Sequence, residues 1–283
     1  GRNPEDAPFN LDFYCHAGPL ARTVADTILL QNVMCGPHPQ DIATLRPKLE
    51  LPFNYPPIAG MKLAYSPDLG FYEVDAEVRA NTERALDVFR ALGVTVEEVD
   101  LGWEPAAFQV GVDYLAHLFG GYLAAEAEGR FEDLAPYTRR FLKSAGTSTS
   151  IDFVRSLSGA GEMYATLGPI LETYDALICP TTALPAVAAD FDETRTDLTI
   201  NGKKVNPMLG WVMTSPFNTL SRCPVLSVPS GRSKAGVPTG IQVVGRTYCD
   251  ADVFRLATAY EAAIGPWYGP GAARPANGAA ASA

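Results

Sequence analysis

Met61-Lys-Leu-Ala-Tyr65 is followed by Asp75-Ala-Glu-Val-Arg-Ala-Asn-Thr-Glu-Arg-Ala-Leu-Asp-Val-Phe-Arg-Ala-Leu-Gly93, and then by Val94-Thr-Val-Glu-Glu-Val99. The outer two stretches have the length and composition of strands. The middle one places Val78, Ala85, Phe89 and Leu92 on one helical face. Asp75 suits the N-cap, and Gly93 suits the left-handed residue that ends a helix. Strand, helix and strand in that order predict a βαβ unit with parallel strands and a right-handed crossover.

The same reading extends outward. Residues 1–21 form an extended connector, and Thr23 to Cys35 is a helix with Val24, Ile28, Leu29 and Val33 on neighbouring turns, ended by Gly36-Pro37. Pro37 to Ala59 is a Pro-rich surface crossing. Pro105–Glu128 and Ala135–Ala145 are helical, and so is Ser150–Tyr174, with a break or kink expected near Gly168-Pro169. Ala176–Cys179 is wholly apolar and suits a buried central strand. Asn201-Gly202 turns a hairpin over Leu198–Val205. Val225–Val228 and Gly240–Val244 are further apolar strands. Asp250 is expected to cap a last helix with Val253, Leu256, Ala257, Tyr260 and Ile264 on one side, ended by Gly265-Pro266. Alternating strands and helices indicate an α/β fold: part of a large mixed β-sheet flanked by helices on both faces. Residues 1–268 read as a portion of a single domain, and the Ala/Gly/Pro-rich tail 269–283 as disordered.

Bulk properties narrow the class. The chain has 283 residues, is 47% hydrophobic and carries a formal charge of −10. That is ample for a large core. An anionic chain gains nothing from counterion release, so nucleic acid is not expected as a partner. Five cysteines at irregular spacing, with no C-x-x-C, fit buried thiols in a reducing cytoplasm rather than a disulfide framework. No apolar run reaches membrane-spanning length and no signal peptide opens the chain, so a cytoplasmic protein without membrane contact is expected. The chain starts Gly1-Arg2-Asn3-Pro4 without methionine, which is read as processing, a fragment or a start inside a longer protein.

The sequence holds no self-contained active site of a familiar pattern. His16, His38 and His117 belong to no H-x-x-x-H or H-E-x-x-H motif, so no metal is expected. There is no G-x-S-x-G elbow, P-loop or G-x-G-x-x-G. Lys143-Ser144 and Ser233-Lys234 lie in polar settings and read as solvated surface.

Four ordered blocks are more specific: Gly18-Pro-Leu-Ala-Arg-Thr-Val-Ala-Asp26; Tyr174-Asp-Ala-Leu-Ile-Cys-Pro-Thr-Thr182; Phe217-Asn218 with Cys223-Pro-Val-Leu-Ser-Val-Pro-Ser-Gly231; and Val237-Pro-Thr-Gly-Ile-Gln-Val-Val-Gly-Arg246. Each has a structural explanation. Gly18-Pro19 can turn the chain, Arg22 and Asp26 stand at i,i+4 and can pair or tie the helix to the core, and Gly240 and Gly245 bound a buried strand. Together the set resembles the amidase-signature family, over nearly all of the chain except the tail and parts of 105–160.

That resemblance implies hydrolysis of a carboxylic amide through a serine acyl-enzyme, with a Ser-Ser-Lys triad, backbone donors as the oxyanion hole and no cofactor. It also places the lysine and both serines before the first block. The 17 residues preceding Gly18 contain neither serine nor lysine, so no catalytic residue is expected in this chain, which alone would be inactive. Its expected contribution is sheet scaffold and acyl-pocket wall, with Thr181, Thr182, Trp211, Thr214 and Asn218 as substrate-binding candidates. In relatives that handle glutamine for tRNA-dependent amidation, an acidic residue stands where Trp211 lies. An indole there favours an apolar or aromatic acyl group, with core packing as the equal alternative.

The partners this reading implies are a small-molecule amide, an N-terminal companion segment of the same enzyme, and a second copy in a possible homodimer. A non-catalytic homologue that binds a ligand or partner is the alternative. One component of a tRNA-dependent amidotransferase is a weaker alternative. Standing alone, the strands Ala176–Cys179 and Val225–Val228 would be expected to lack neighbours and expose apolar edges.

Overall fold

A computed structural model describes residues 2–193, 196–265 and 267; the expected disordered tail, 269–283, lies outside them. Five strands form one mixed sheet in the order β2-β1-β3-β7-β6. They are β1 (Lys62–Tyr65), β2 (Thr95–Glu98), β3 (Ala176–Pro180), β6 (Val225–Arg232) and β7 (Pro238–Gly245). β1 pairs in parallel with both β2 and β3, so the predicted βαβ unit is present, with α2 (Ala76–Ala91) as its crossover. β7 runs antiparallel to β3 and to β6. A separate hairpin joins β4 (Leu198–Ile200) to β5 (Lys203–Val205), and Asn201 and Gly202 at its turn have positive φ, as an Asn-Gly turn requires.

Strand alternation assigns the two layers. Leu63, Tyr65, Ala176, Ile178, Ile241 and Val243 belong to one apolar cluster. It is closed by α2, by α1 (Val24–Met34) and by α7 (Asp250–Ile264). Ala64, Leu177, Cys179 and Val244 face the other way, into a cluster with α3 (Ala106–Glu126), α5 (Ser150–Thr173) and α6 (Ser215–Thr219). A short α4 (Pro136–Ala145) packs on α3. Every residue of β3 is buried, so the central strand has helices over both faces. At the α3–α4 contact Gly120 is required: a Cβ there would lie 2.4 Å from the Cβ of Ala145.

Several expectations need correcting. Ala176–Cys179 does not lack neighbours: β3 is paired on both sides, because β1 and β7 bracket it. The two open edges are β2, which carries Thr95, Glu97 and Glu98, and β6, which begins Val225-Leu226. The helix over Gly168-Pro169 does not break; it runs on to Thr173, since proline removes one hydrogen bond and the surrounding apolar packing of Leu167 and Leu171 remains. Asp250 is the first helical residue of α7 rather than its cap; Cys249 occupies that position and its side chain makes no cap bond. Asp250 instead pairs with Arg2 at 2.9 Å.

Arg22 and Asp26 are not an intrahelical pair. Thr23 is the N-cap and accepts from Asp26 N, so Arg22 stands outside the helix, and both side chains are exposed. The apolar residues expected on neighbouring turns of α1 do not share one environment. Val24 and Ile28 are buried, but Leu29 is 55% exposed and Val33 71%. The crossing from Pro37 to Ala59 is anchored rather than superficial. Leu51 and Ile58 enter the core, and the Asn32 carboxamide pairs with both backbone groups of Leu51.

The connector that leads into α1 is pinned by a buried carboxylate. Asp12 accepts from the Tyr114 hydroxyl at 2.6 Å, from Tyr14 N at 2.8 Å and from Cys15 N at 2.7 Å. Removing it leaves three buried donors without an acceptor. Asp12→Ala is expected to destabilise the fold by about 2–4 kcal/mol, and Tyr114→Phe, which deletes one donor, by roughly 1–2 kcal/mol. Urea unfolding monitored by tryptophan fluorescence checks both; a loss below that of an ordinary surface substitution for Asp12→Ala would show that the pin carries no weight.

Candidate functional site

β3 ends at Pro180, and the chain turns there through Thr181 and Thr182. The antiparallel register sets Cys179 opposite Gln242 and Pro180 opposite Ile241 on β7. Thr181 N donates to Gly240 O at 2.9 Å, and the Thr181 and Ser227 hydroxyls share a hydrogen bond of 2.8 Å. Glycine is needed at 240, because a Cβ would come within 2.9 Å of Thr181 Oγ1 and 3.2 Å of Ser227 Oγ. Thr182 bridges Val212, and Ala183 N donates to Trp211 O at 2.8 Å. The turn after β3 is thereby stitched to the segment that enters α6. Gln242 adds a second stitch: its Nε2 donates to Pro180 O at 3.0 Å and to Met213 O at 3.1 Å.

Beside these stitches is a cavity of about 490 Å³. Tyr14 and the connector from His16 to Ala21 form one side, Thr27 and Gln31 of α1 another. Thr214, Phe217 and Asn218, the start of β6 from Val225 to Ser227, and Gln242 complete it. All four ordered sequence blocks therefore converge here, three of them on the wall and the second through the Thr181–Ser227 bond.

The five expected residues divide. Thr214 and Asn218 line the cavity, with Asn218 exposed to it. Thr181 reaches it through Ser227. Thr182 does not line it; its hydroxyl donates to Leu184 O at 2.8 Å. Trp211 does not line it either. Its ring packs on the second apolar cluster and Nε1 donates to Pro207 O at 3.2 Å. Sequence reasoning misses Gln242, whose signal is a lone polar residue inside Ile241–Val244. It also misses the five-residue helix α6, which is too short to show a period.

Reactive groups near the cavity are quiet. His16 Nε2 lies 2.9 Å from Ser221 Oγ. Ser221 donates its own proton to Phe13 O, and the same ring nitrogen faces the Arg222 guanidinium, which can only donate, at 3.4 Å. Burial above all holds His16 well below the usual histidine range, at about 4, with the Arg222 guanidinium acting in the same direction, and the ring is neutral at pH 7. Burial pushes the Cys223 thiol up to about 12, which keeps it protonated and unreactive. Elsewhere, Lys234 pairs with Glu77 in solvent, and Lys143 lies over the Phe131 ring. Among the described residues, no group of three or more His, Cys, Asp or Glu side chains could hold a metal ion, and no helix is long and apolar enough to cross a membrane.

Comparison with known proteins gives a consistent likeness. Residues 12–254 match the family model described as Amidase. An acylamidase of Rhodococcus erythropolis is 29% identical over 258 residues, covering 90% of this chain and 53% of its own length. The A component of the glutamyl-tRNA(Gln) amidotransferase of Thermosynechococcus vestitus is 28% identical over 282 residues, covering 89% of this chain and 55% of its own. The crystal structure of a bacterial aryl acylamidase of the amidase signature family superposes with a TM-score of 0.81 at 25% identity, over 94% of this chain and 57% of that one. The chain thus spans about half the length of the curated relatives it matches. By this match and by the convergence of its sequence blocks on one cavity, the chain belongs to the amidase-signature family.

Proposed function

We propose that this chain is the part of an amide-hydrolysing enzyme that supplies the sheet scaffold and the acyl-pocket wall, while a lysine and two serines upstream of Gly1 perform the chemistry. The observation that carries the reading is the convergence of the blocks, distant in sequence, on the cavity bordered by Thr214, Asn218, Ser227 and Gln242. In that scheme the serine hydroxyl adds to the amide carbonyl and the second serine relays its proton to the departing nitrogen. The amine or ammonia leaves, and water then cleaves the acyl-enzyme ester to release the acid and regenerate serine. Thr214 Oγ1 and the Asn218 carboxamide orient the substrate. The quiet state of His16, Ser221 and Cys223 supports a nucleophile that comes from outside this chain.

The surface supports a companion segment. α1 carries apolar residues on more than one side. One side covers the core; Leu29 and Val33 on the other are exposed, and Leu20 in the connector before the helix is 95% exposed. The β6 edge, beginning with Val225, borders the same region. A polypeptide lying over α1 and along β6 would cover both and bring its residues to the cavity. A second reading, one component of an amidotransferase, has the Thermosynechococcus vestitus relative in its favour. Trp211, where glutamine-handling relatives carry an acid, counts against it.

Steady-state assay of the full-length protein tests the activity. Aryl or alkyl amides are expected to be hydrolysed in preference to glutamine, and the opposite preference would replace this reading with the amidotransferase one. Asn218→Ala is expected to raise KM by about tenfold. Leu29→Glu with Val33→Glu tests the companion surface. The 283-residue chain produced alone should bind less of a hydrophobic dye, while association with the separately produced upstream half is lost. Unchanged association would place the companion elsewhere.

A further inference from the structure

A second cavity, of about 350 Å³, is lined by neither Thr214 nor Asn218. Its volume is in the range of small-molecule sites, about 300–1,000 Å³. One wall is a face of α5: Leu157, Ala160, Gly161 and Tyr164 follow at i, i+3, i+4 and i+7, the spacing that brings side chains to one side of a helix. The end of α6 at Leu220 and the segment Ser221–Cys223 that leads to β6 belong to the same lining. Among the described residues, Arg222 is the one charged side chain in it. Arg222 is partly exposed. Its guanidinium carbon stands 4.7 Å over the ring of Phe13, which is 55% exposed and lines the same cavity. Its other contact is the neutral His16 ring, at 3.4 Å. Among the described residues the guanidinium has no carboxylate partner, in a chain whose formal charge is −10. A guanidinium presents five N–H donors in a fork that matches a carboxylate, and an aromatic ring against it takes none of those donors.

We propose that the second cavity binds a small apolar carboxylate, an aryl or alkyl acid, with its carboxylate on the Arg222 guanidinium and its hydrocarbon body against Leu157, Tyr164 and Leu220. The apolar lining draws the body out of water. The guanidinium supplies a charge-assisted pair, which is stronger beside low-dielectric walls than in open solvent. Either half alone is a weak anchor. A neutral apolar molecule leaves the cation unpaired, and a small hydrophilic anion leaves the lining bare. The site does not rest on the proposed hydrolysis, but the acid that such hydrolysis would release belongs to the same class. Arg222 also lines the first cavity, where His16 stands on the wall, so the two cavities share this cation.

Calorimetric titration of the full-length protein with sodium benzoate tests the site. Benzoate is expected to bind, and acetate and benzyl alcohol, which carry the charge or the ring alone, about tenfold more weakly or less. Arg222→Gln is expected to weaken benzoate about tenfold. Because Arg222 lines both cavities, Gly161→Phe locates the ligand. Gly161 lines only the second cavity, and a Cβ there meets nothing within 4 Å; a helix interior also accepts phenylalanine more readily than glycine. The new ring on the cavity wall is expected to weaken benzoate by a similar factor. Unchanged affinity in Gly161→Phe would put the carboxylate in the first cavity and overturn the proposal. So would unchanged affinity in Arg222→Gln, equal binding of the three compounds, or no binding of benzoate by the wild-type protein. If Arg222→Gln does not fold, Gly161→Phe and the three-compound comparison decide. Binding is read without turnover, so a protein that hydrolyses no amide would lose the proposed function and leave this test intact.

Discussion

The antiparallel pairing of β3 with β7 holds the molecule's two halves together. β3 receives the βαβ unit on one side through β1, and on the other it hands the sheet to the late hairpin of β6 and β7. Because β3 has no solvent-facing residue, each of its side chains must meet an apolar layer, and both layers of helices are consequences of that burial. The same pairing fixes where the strand ends. Pro180 closes the ladder, and the next two threonines turn the chain toward the segment that enters α6.

The site is assembled by backbone more than by side chains. Thr181 N to Gly240 O, Ala183 N to Trp211 O, and the two carbonyls held by Gln242 join three separate segments. Each bond joins residues dozens of positions apart in the chain, so the wall has the rigidity of a sheet although its residues lie in turns. Glycine at 240 lets the hydroxyls of Thr181 and Ser227 meet. The connector from Arg2 to Ala21 is fixed by equally specific means: the Asp12 carboxylate, the Arg2–Asp250 ion pair, and the Asn3 carboxamide paired with Gln31.

Much of this is legible in the sequence where local rules act alone. Asp75 and Gly93 bound α2, Asn201-Gly202 turns the hairpin, and the uninterrupted Ala176–Cys179 run marks the central strand. The remainder depends on partners far along the chain. Asp12 looks like any surface acid until Tyr114 arrives from α3. Trp211 reads equally as pocket wall or core in the sequence, and its ring turns toward the core because Ala183 N takes its carbonyl and Pro207 takes its indole N–H. In α1 the spacing sets Val24, Ile28, Leu29 and Val33 on neighbouring turns, but apolar residues stand on more than one side of the helix, and spacing alone does not rank the sides. The Pro169 helix runs past its expected break because tertiary packing outweighs one absent hydrogen bond.

Between β2 and β3 the chain leaves the sheet for the three helices α3, α4 and α5, then returns so that Leu63 pairs with Ala176. The sheet needs only that the excursion come back in register, and closing a longer loop costs little more than closing a shorter one. The excursion meets the cavity wall at Tyr14, against which Gly111 and the Tyr114 ring pack. A fold arranged in this way divides its labour: the strands and their stitches frame the cavity, while the helical excursion braces from behind the connector that walls it.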